Sequence, residues 1–444
     1  MGTEVTASAI PVTSAKEGTV ARPNDGANPA VSRSSSEEPD RSSKQRWSSS
    51  IKTVTAQVGF SKGFKTLRDM SGENTIDAGQ LRSTKVLGMG AFATVEKAVF
   101  TPKEGAPYEV AVKRLKPEVI TSIVDVDSFK TEIALLRKLQ HKNIVQFIGV
   151  GSTNPDATES ARAGLFLVQE FMSGGTLKAL VMKHVMSNSH NPAYVYRHAD
   201  SLRFAIQIAS GLRYMHEASP MVIHRDIKME NILLQGSSIL DMEAKLADFG
   251  LVALVPKTES IQTKPAEAML TVQEAETLES MWSGNMQKPK FSNPLSKGFG
   301  TASFAASKAA AAAAEVHNLS GLTGSLMYMA PEVYRCEPYN EKVDVFSYGM
   351  IIFEMHSRCI MLLAICLHQW AGRISVGYRP PMPEDWPAEL KSIISDCWKQ
   401  DPQARPTMAE VKTRLIALQE SGVIDELDDR ERASFNECGC CLIS

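Results

Sequence analysis

The run His224-Arg225-Asp226-Ile227-Lys228-Met229-Glu230-Asn231, followed by Asp248-Phe249-Gly250, decides how this chain is read. Transfer of a phosphoryl group needs metal ions across the phosphates, a carboxylate at the incoming hydroxyl, and positive charge where negative charge develops. The two strings can supply all three. Asp226 would accept or orient a hydroxyl, Lys228 would stabilise the group in transfer, and Asn231 with Asp248 would hold magnesium through hard oxygen ligands. Both strings together, in this order, form a specific signature.

Upstream, Leu87-Gly88-Met89-Gly90-Ala91-Phe92-Ala93-Thr94-Val95 lies between two strand-like runs, where glycines let a turn come close to phosphate oxygens. Alone, that string reads equally well as a plain hairpin. Ala111-Val112-Lys113 on the next strand strengthens the phosphate reading. So does Glu132, on a helix patterned by Phe129, Ile133, Leu136 and Leu139.

The surrounding texture predicts the fold class. Short β-like runs cover Thr84 to Leu87, Thr94 to Phe100, Glu109 to Arg114, Ile144 to Val150 and Leu165 to Glu170. Beyond Leu177, helical periodicity takes over at Ser201 to His216, Asp344 to Met355, Ala388 to Lys399 and Thr407 to Leu418. The expectation is an α+β molecule: a five-stranded antiparallel sheet with one helix, joined to a larger α-helical lobe.

These strings resemble the eukaryotic protein kinase family over about Ile76 to Gln419, with a small lobe at 76–170 and a large lobe at 173–419. The resemblance implies ATP and magnesium as cofactors, with manganese an alternative metal, and a protein substrate. It places Gly88 and Gly90 in the loop over the phosphates. It pairs Lys113 with Glu132 on the α and β phosphates and makes Asp226 the catalytic base. Val95, Ala111 and Leu233 would sandwich adenine, Glu170, Phe171 and Met172 would form the hinge, and Gln169 would guard the rear pocket. His224, Phe249 and Leu136 would stack in one column. Asp344 would brace the catalytic loop, and Arg405 would pair with Glu332 of Ala330-Pro331-Glu332.

Lys228 and Thr323 resemble the serine/threonine pattern. Arg379-Pro380-Pro381-Met382-Pro383-Glu384-Asp385-Trp386-Pro387, Cys397-Trp398 and Arg405-Pro406-Thr407 resemble the tyrosine-kinase-like group with its Raf-like and mixed-lineage-like members. A pseudokinase scaffold and a dual-specificity or tyrosine kinase are the alternatives. Two departures stand out: Ala93 replaces the third loop glycine, and Ser357 to Trp370 lacks the usual Pro-Phe. Arg225, beside Asp226, is set to pair with a phosphate on the activation segment. Activation by an upstream kinase at Ser320, Thr323 or Ser325, or at residues of the insert such as Thr258 and Ser260, is therefore expected.

The bulk properties bound the rest. A net charge of -2 over 444 residues gives no reason to expect nucleic acid as a partner, and no apolar run reaches the length of a membrane span. No secretory leader is evident, and the scattered Cys336, Cys359, Cys366 and Cys397 suit a reducing, cytoplasmic setting. Residues 1–75 read as a disordered Ser-rich extension, about 256–320 as a low-complexity insert in the activation segment, and 420–444 as an acidic tail. The tail ends in Cys441-Leu442-Ile443-Ser444, a prenylation box, with Cys438 and Cys440 available for palmitate. Peripheral attachment to the cytoplasmic face of a membrane follows as an expectation. Met1-Gly2-Thr3-Glu4-Val5-Thr6 also meets the minimal myristoylation pattern.

Overall fold

A computed structural model describes residues 74–90, 93–116, 123–153, 164–187, 195–255, 325–358 and 367–439, the side chains of 123–128 and 434–439 excepted. Residues 1–73 of the amino-terminal extension, the insert, Ala91, Phe92, Ser320, Thr323, Cys440 and Cys441 lie outside these residues, as does the side chain of Cys438.

The first lobe is built on strands β1 (Leu81–Met89), β2 (Ala93–Phe100), β3 (Tyr108–Leu115), β4 (Phe147–Ser152) and β5 (Leu165–Glu170). They form one antiparallel sheet in the order β1-β2-β3-β5-β4. Strand periodicity divides β3 between its two faces. Val110 and Val112 are fully buried against Ala98, Phe100, Phe166 and Val168, and Ala111 and Lys113 fall on the opposite face. Register then brings Val95 opposite Lys113, and Ala111 opposite Gln169. Helix α1 (Ile123–Lys138) buries Phe129, Ile133 and Leu136 at helical spacing and carries Glu132 inward.

One glycine in this lobe is required by a close approach. Residues 74–76 lie along β4, with the Ile76 amide donating to the Val150 carbonyl at 2.9 Å and the Val150 amide donating to the Asn74 carbonyl at 3.1 Å. A Cβ on Gly149 would stand 2.6 Å from the Asn74 oxygen, so the chain can lie there only over a glycine.

The second lobe holds short strands β6 (Gly175–Thr176), β7 (Met221–Ile223), β8 (Ile232–Gln235), β9 (Glu243–Leu246) and β10 (Ala253–Val255). Its helices are α2 (Leu177–Ser187), α3 (His198–Glu217), α4 (Pro331–Tyr334), α5 (Lys342–Ser357), α6 (Leu367–Ser375), α7 (Ala388–Cys397), α8 (Met408–Glu420) and α9 (Val423–Gly439). Thr407 and Glu410 cap α8 reciprocally. The Thr407 hydroxyl accepts from the Glu410 amide at 3.2 Å, and Glu410 accepts from the Thr407 amide at 2.7 Å.

Helices α3 and α5 pack antiparallel through the centre of this lobe. The Tyr348 hydroxyl donates to the Ala205 carbonyl at 2.8 Å, and the Ser201 hydroxyl donates to the Met355 carbonyl at 3.4 Å. Every apolar side chain of α5 is buried, so it serves as the central post of the lobe.

Two regions differ from the sequence expectation. The segment from Ser357 departs from the family pattern, yet it is anchored at both described ends. Arg358 closes α5 in the left-handed region at φ 50, and α6 then buries Trp370, whose indole N–H donates to the Met327 carbonyl at 3.0 Å. The acidic segment set apart at 420 is also no loose end. Its helix α9 buries Ile424, Leu427 and Asp428 and half-buries Glu431. That is one stripe at helical spacing, laid against α3. Among the described residues, no helix is long and apolar enough to cross a membrane.

Candidate active site

Lys113 is the meeting point of the two lobes. Its ammonium donates to Glu132 at 2.8 and 2.9 Å and to Asp248 at 2.9 Å. Burial works against the charged lysine, but the carboxylates of Glu132 and Asp248 outweigh it and hold its pKa above the ordinary lysine value. Lys113 in turn holds the Asp248 carboxyl below its ordinary value. Glu132 is almost fully buried and Asp248 is half exposed, so the triad runs from the core of the small lobe to the open cleft.

Asp226, Lys228 and Asn231 form a second network. Lys228 donates to Asp226 Oδ2 at 2.6 Å, and the Asn231 amide nitrogen donates to the same oxygen at 3.0 Å and to the Asp226 carbonyl at 2.8 Å. With its nitrogen so engaged, Asn231 keeps its Oδ1 as the atom able to take a cation. Asp248 and Asn231 are thus hard oxygen donors of the kind magnesium requires, and the donor set fits that ion.

The loop that carries Asp226 is held from beneath. Asp344, at the start of α5, accepts the His224 amide on Oδ2 at 2.8 Å, the Arg225 amide on Oδ1 at 2.8 Å, and His216 on Oδ2 at 2.9 Å. Burial would raise the Asp344 carboxyl, but hydrogen bonding and charge from His216, with His224 adding to them, bring it below the ordinary range. Arg225 and Asp248 adopt left-handed backbone at φ 66 and 63, a strained state that such bracing can sustain. The rings of His224 and Phe249 lie 5.2 Å apart, and Phe249 and Leu136 share one buried cluster.

Of the residues expected around adenine, the structure brings Met172 and Leu233 together. Val145, Met172 and Ala247 make a small buried cluster with Leu233 packed on it. Glu170 turns to Lys245 at 2.8 Å and accepts the Gln146 amide at 2.7 Å, which fixes the strand that leads into Phe171 and Met172. The Gln169 side-chain nitrogen is buried with no hydrogen-bond partner among the described residues. Gly88 lies near the end of β1 between the exposed Leu87 and Met89, and the Gly90 amide donates to the Ala93 carbonyl at 2.9 Å.

Ser325 is the residue whose place the sequence did not reveal. Expected as a phosphorylation candidate, it donates its backbone amide to Asp226 Oδ1 at 3.1 Å. Nothing in the sequence spacing could reveal this, because the insert separates Ser325 from Asp226. The Arg225 guanidinium meanwhile contacts the Leu251 carbonyl at 2.5 Å, the Tyr339 hydroxyl at 3.1 Å and the Val252 carbonyl at 3.4 Å.

The comparison with known families agrees with this geometry. The family model for protein tyrosine and serine/threonine kinases matches residues 81–282 and 301–415, more than half of the chain. The chain belongs to that family. This kinase is 27% identical over 365 residues to serine/threonine-protein kinase STY17 of Arabidopsis thaliana, covering 82% of this chain and 48% of the relative. It is 29% identical to serine/threonine-protein kinase VIK of the same plant, covering 76% of this chain and 59% of the relative. It is 26% identical to the dual specificity protein kinase splA of Dictyostelium discoideum, covering 79% of this chain and 12% of that protein. The chain thus spans about half the length of the first two. The resemblance to the tyrosine-kinase-like group holds, and so does the two-lobed fold.

Proposed function

We propose that this kinase transfers the γ-phosphoryl group of ATP to serine or threonine hydroxyls of protein substrates. The observation that carries the reading is Lys113 held between Glu132 and Asp248, beside an Asp226 already bonded to Lys228 and Asn231. In this reading Lys113 binds the α and β phosphates, and Glu132 fixes its direction. Asp226 orients the incoming hydroxyl and takes its proton, and Lys228 stabilises charge on the group in transfer. Magnesium, or manganese with the same oxygen preference, would sit on Asp248 and Asn231 and neutralise phosphate charge. Val95, Ala111, Leu233 and the hinge at Glu170 to Met172 would receive adenine.

The serine/threonine preference is supported by the Lys228–Asp226 contact and by the likeness to STY17 and VIK. The test is magnesium-ATP phosphorylation of a generic basic protein, run beside Asp248→Ala, with the phosphoamino acids identified. Phosphate on serine or threonine that vanishes in the variant is the expected result. Phosphotyrosine would move the chain to the dual-specificity class, and no transfer despite nucleotide binding would make it a scaffold.

Two regulatory readings belong to the same proposal. An upstream kinase phosphorylates the activation segment, and Arg225 receives the phosphate. Ser325 is the weakest of the candidates, because a phosphate there would stand beside the Asp226 carboxylate; Ser320 and Thr323 remain as one pair, and Thr258 and Ser260 of the insert as another. Alanine across all of these with unchanged activity would remove this reading. Cys441 carries a farnesyl group and Cys438 or Cys440 a palmitoyl group, which together hold the kinase at the cytoplasmic face of a membrane, since one prenyl chain alone anchors weakly. Membrane fractionation with Cys441→Ser tests it: an unmoved variant ends the idea.

A further inference from the structure

Helices α3 and α5 are fastened to each other at both ends. At one end, His216 of α3 meets Asp344 of α5, and that same carboxylate holds the His224 and Arg225 amides of the catalytic loop. At the other end, about 27 Å of helix away along α3, the fastening comes from α9. Asp428 accepts the His198 amide at 2.8 Å and the Ala199 amide at 2.9 Å, first-turn donors for which Arg197 gives no side-chain cap bond, while Asp200 of α3 takes the Arg197 amide at 2.9 Å. Glu431 bonds His198 Nε2 at 2.9 Å and Arg358 at 2.6 Å. Arg358 directly follows α5 and also lies 3.7 Å from Asp428. His198 and His356, one from each helix, complete the junction with Nδ1 atoms 3.0 Å apart and rings stacked at 5.3 Å.

His198, Asp428 and Glu431 offer atoms within 4.8 Å of one another, which is metal-like spacing. A cation is nevertheless disfavoured there. Arg358 already supplies the positive charge, and both Asp428 oxygens are spent on backbone amides. The cluster is better described as a clasp that joins the start of α3 to the end of α5.

We infer that Asp428 and Glu431 are positioning residues for phosphoryl transfer: by clasping the far ends of α3 and α5 they fix the register in which Asp344, at the near end, holds the catalytic loop. Without that clasp the two antiparallel helices keep the His216–Asp344, Tyr348–Ala205 and Ser201–Met355 hydrogen bonds and their packing, but the far ends gain play, and a small change of register moves the Asp344 carboxylate. The inference rests on the kinase reading for its catalytic consequence but not for its structural one.

The experiment uses the full chain carrying Asp428→Ala or Glu431→Gln, assayed well below each variant's Tm. The expected result is a fall in kcat of about 2- to 30-fold, the range of couplings carried through packed elements, with KM for ATP unchanged. Amide hydrogen exchange should quicken at His224 and Arg225 while staying unchanged on the central strand at Val110 and Val112. A lower Tm with unaltered kcat and unaltered exchange at His224 and Arg225 overturns the inference and leaves α9 as a stabilising helix only. Should Asp428→Ala fail to fold, Glu431→Gln carries the same test, since it keeps the side chain's shape and removes only its charge. Exchange is read without turnover, so its outcome stands even where the wild-type chain moves no phosphate.

Discussion

Arg405 and Glu332 face each other across two hydrogen bonds of 2.6 and 2.8 Å, with side chains only 0% and 2% exposed. Arg405 also donates to the carbonyls of Lys399 and Lys342 and lies over the Phe346 ring. The pair therefore ties the residue that closes the activation segment to the loop before α8 and to the post α5. An exposed pair of this kind would contribute little. A buried one whose partner is removed leaves an uncompensated charge.

Arg405→Met or Glu332→Leu alone should cost about 3 to 5 kcal/mol in denaturant unfolding, whereas the two together should recover most of that loss. Single and double variants that lie equally low would show that the guanidinium's carbonyl contacts, and not the ion pair, hold the region.

Lys113→Met should lower phosphate transfer at least about 100-fold, the loss typical of removing one preorganised charge from such a site. It should also lower stability, because Glu132 is left buried without its counter-charge. Lys113→Met combined with Glu132→Leu should regain the stability and none of the activity. Steady-state kinetics and thermal melts read the two effects apart.

Stability should fall as pH drops from about 6.5 to about 4. Burial pushes the His184 imidazole down to about 4, with Arg358 adding to it, and burial, His198 and Arg358 push His356 well below its ordinary value. Below pH 6.5 the unfolded chain takes up protons that these folded imidazoles refuse, so the native state loses ground until the folded value is passed. For His184 the loss spreads over the window from about pH 6.5 down to about pH 4. In urea titrations across this window, His184→Gln should flatten the slope; an unchanged slope would place the acid sensitivity elsewhere.

Gly349 lies on α5 where a Cβ would stand 2.8 Å from the Cys397 Cβ of α7. Gly349→Ala should therefore destabilise by about 1 to 3 kcal/mol, although alanine is the better helix former. The same burial pushes the Cys397 thiol up to about 12, so alkylation of Cys397 should await unfolding while the exposed Cys336 reacts at once. Mass mapping of modified peptides at increasing urea checks both statements.

Much of the site could be read from short strings because phosphoryl transfer dictates residue types at near-fixed spacing. Asp226, Lys228 and Asn231 sit within one loop, and Asp248 follows two residues beyond β9. The five strands and the long helices were legible because Val110 and Val112, or Phe129, Ile133 and Leu136, repeat at the period their element demands. Helix α9 was not legible as part of the folded unit. Its buried stripe is two apolar residues, Ile424 and Leu427, completed by Asp428 and Glu431, and carboxylates read as solvent-facing until their partners are seen. Those partners, His198 and Arg358, lie far away in sequence. The contact of the Ser325 amide with Asp226 was not legible for a related reason: a backbone amide leaves no trace in the side-chain pattern.

The match to the family ends at residue 415, and the protein's own closure comes later. Similarity to relatives marks the stretch that many chains share, whereas the need to satisfy buried donors marks the stretch that this chain must keep. By the second measure the boundary falls after Glu431. A fragment trimmed at the homology limit would expose the first amides of α3 and strand a guanidinium that is only 12% exposed. Its poor behaviour would then say nothing about the catalytic competence of the whole.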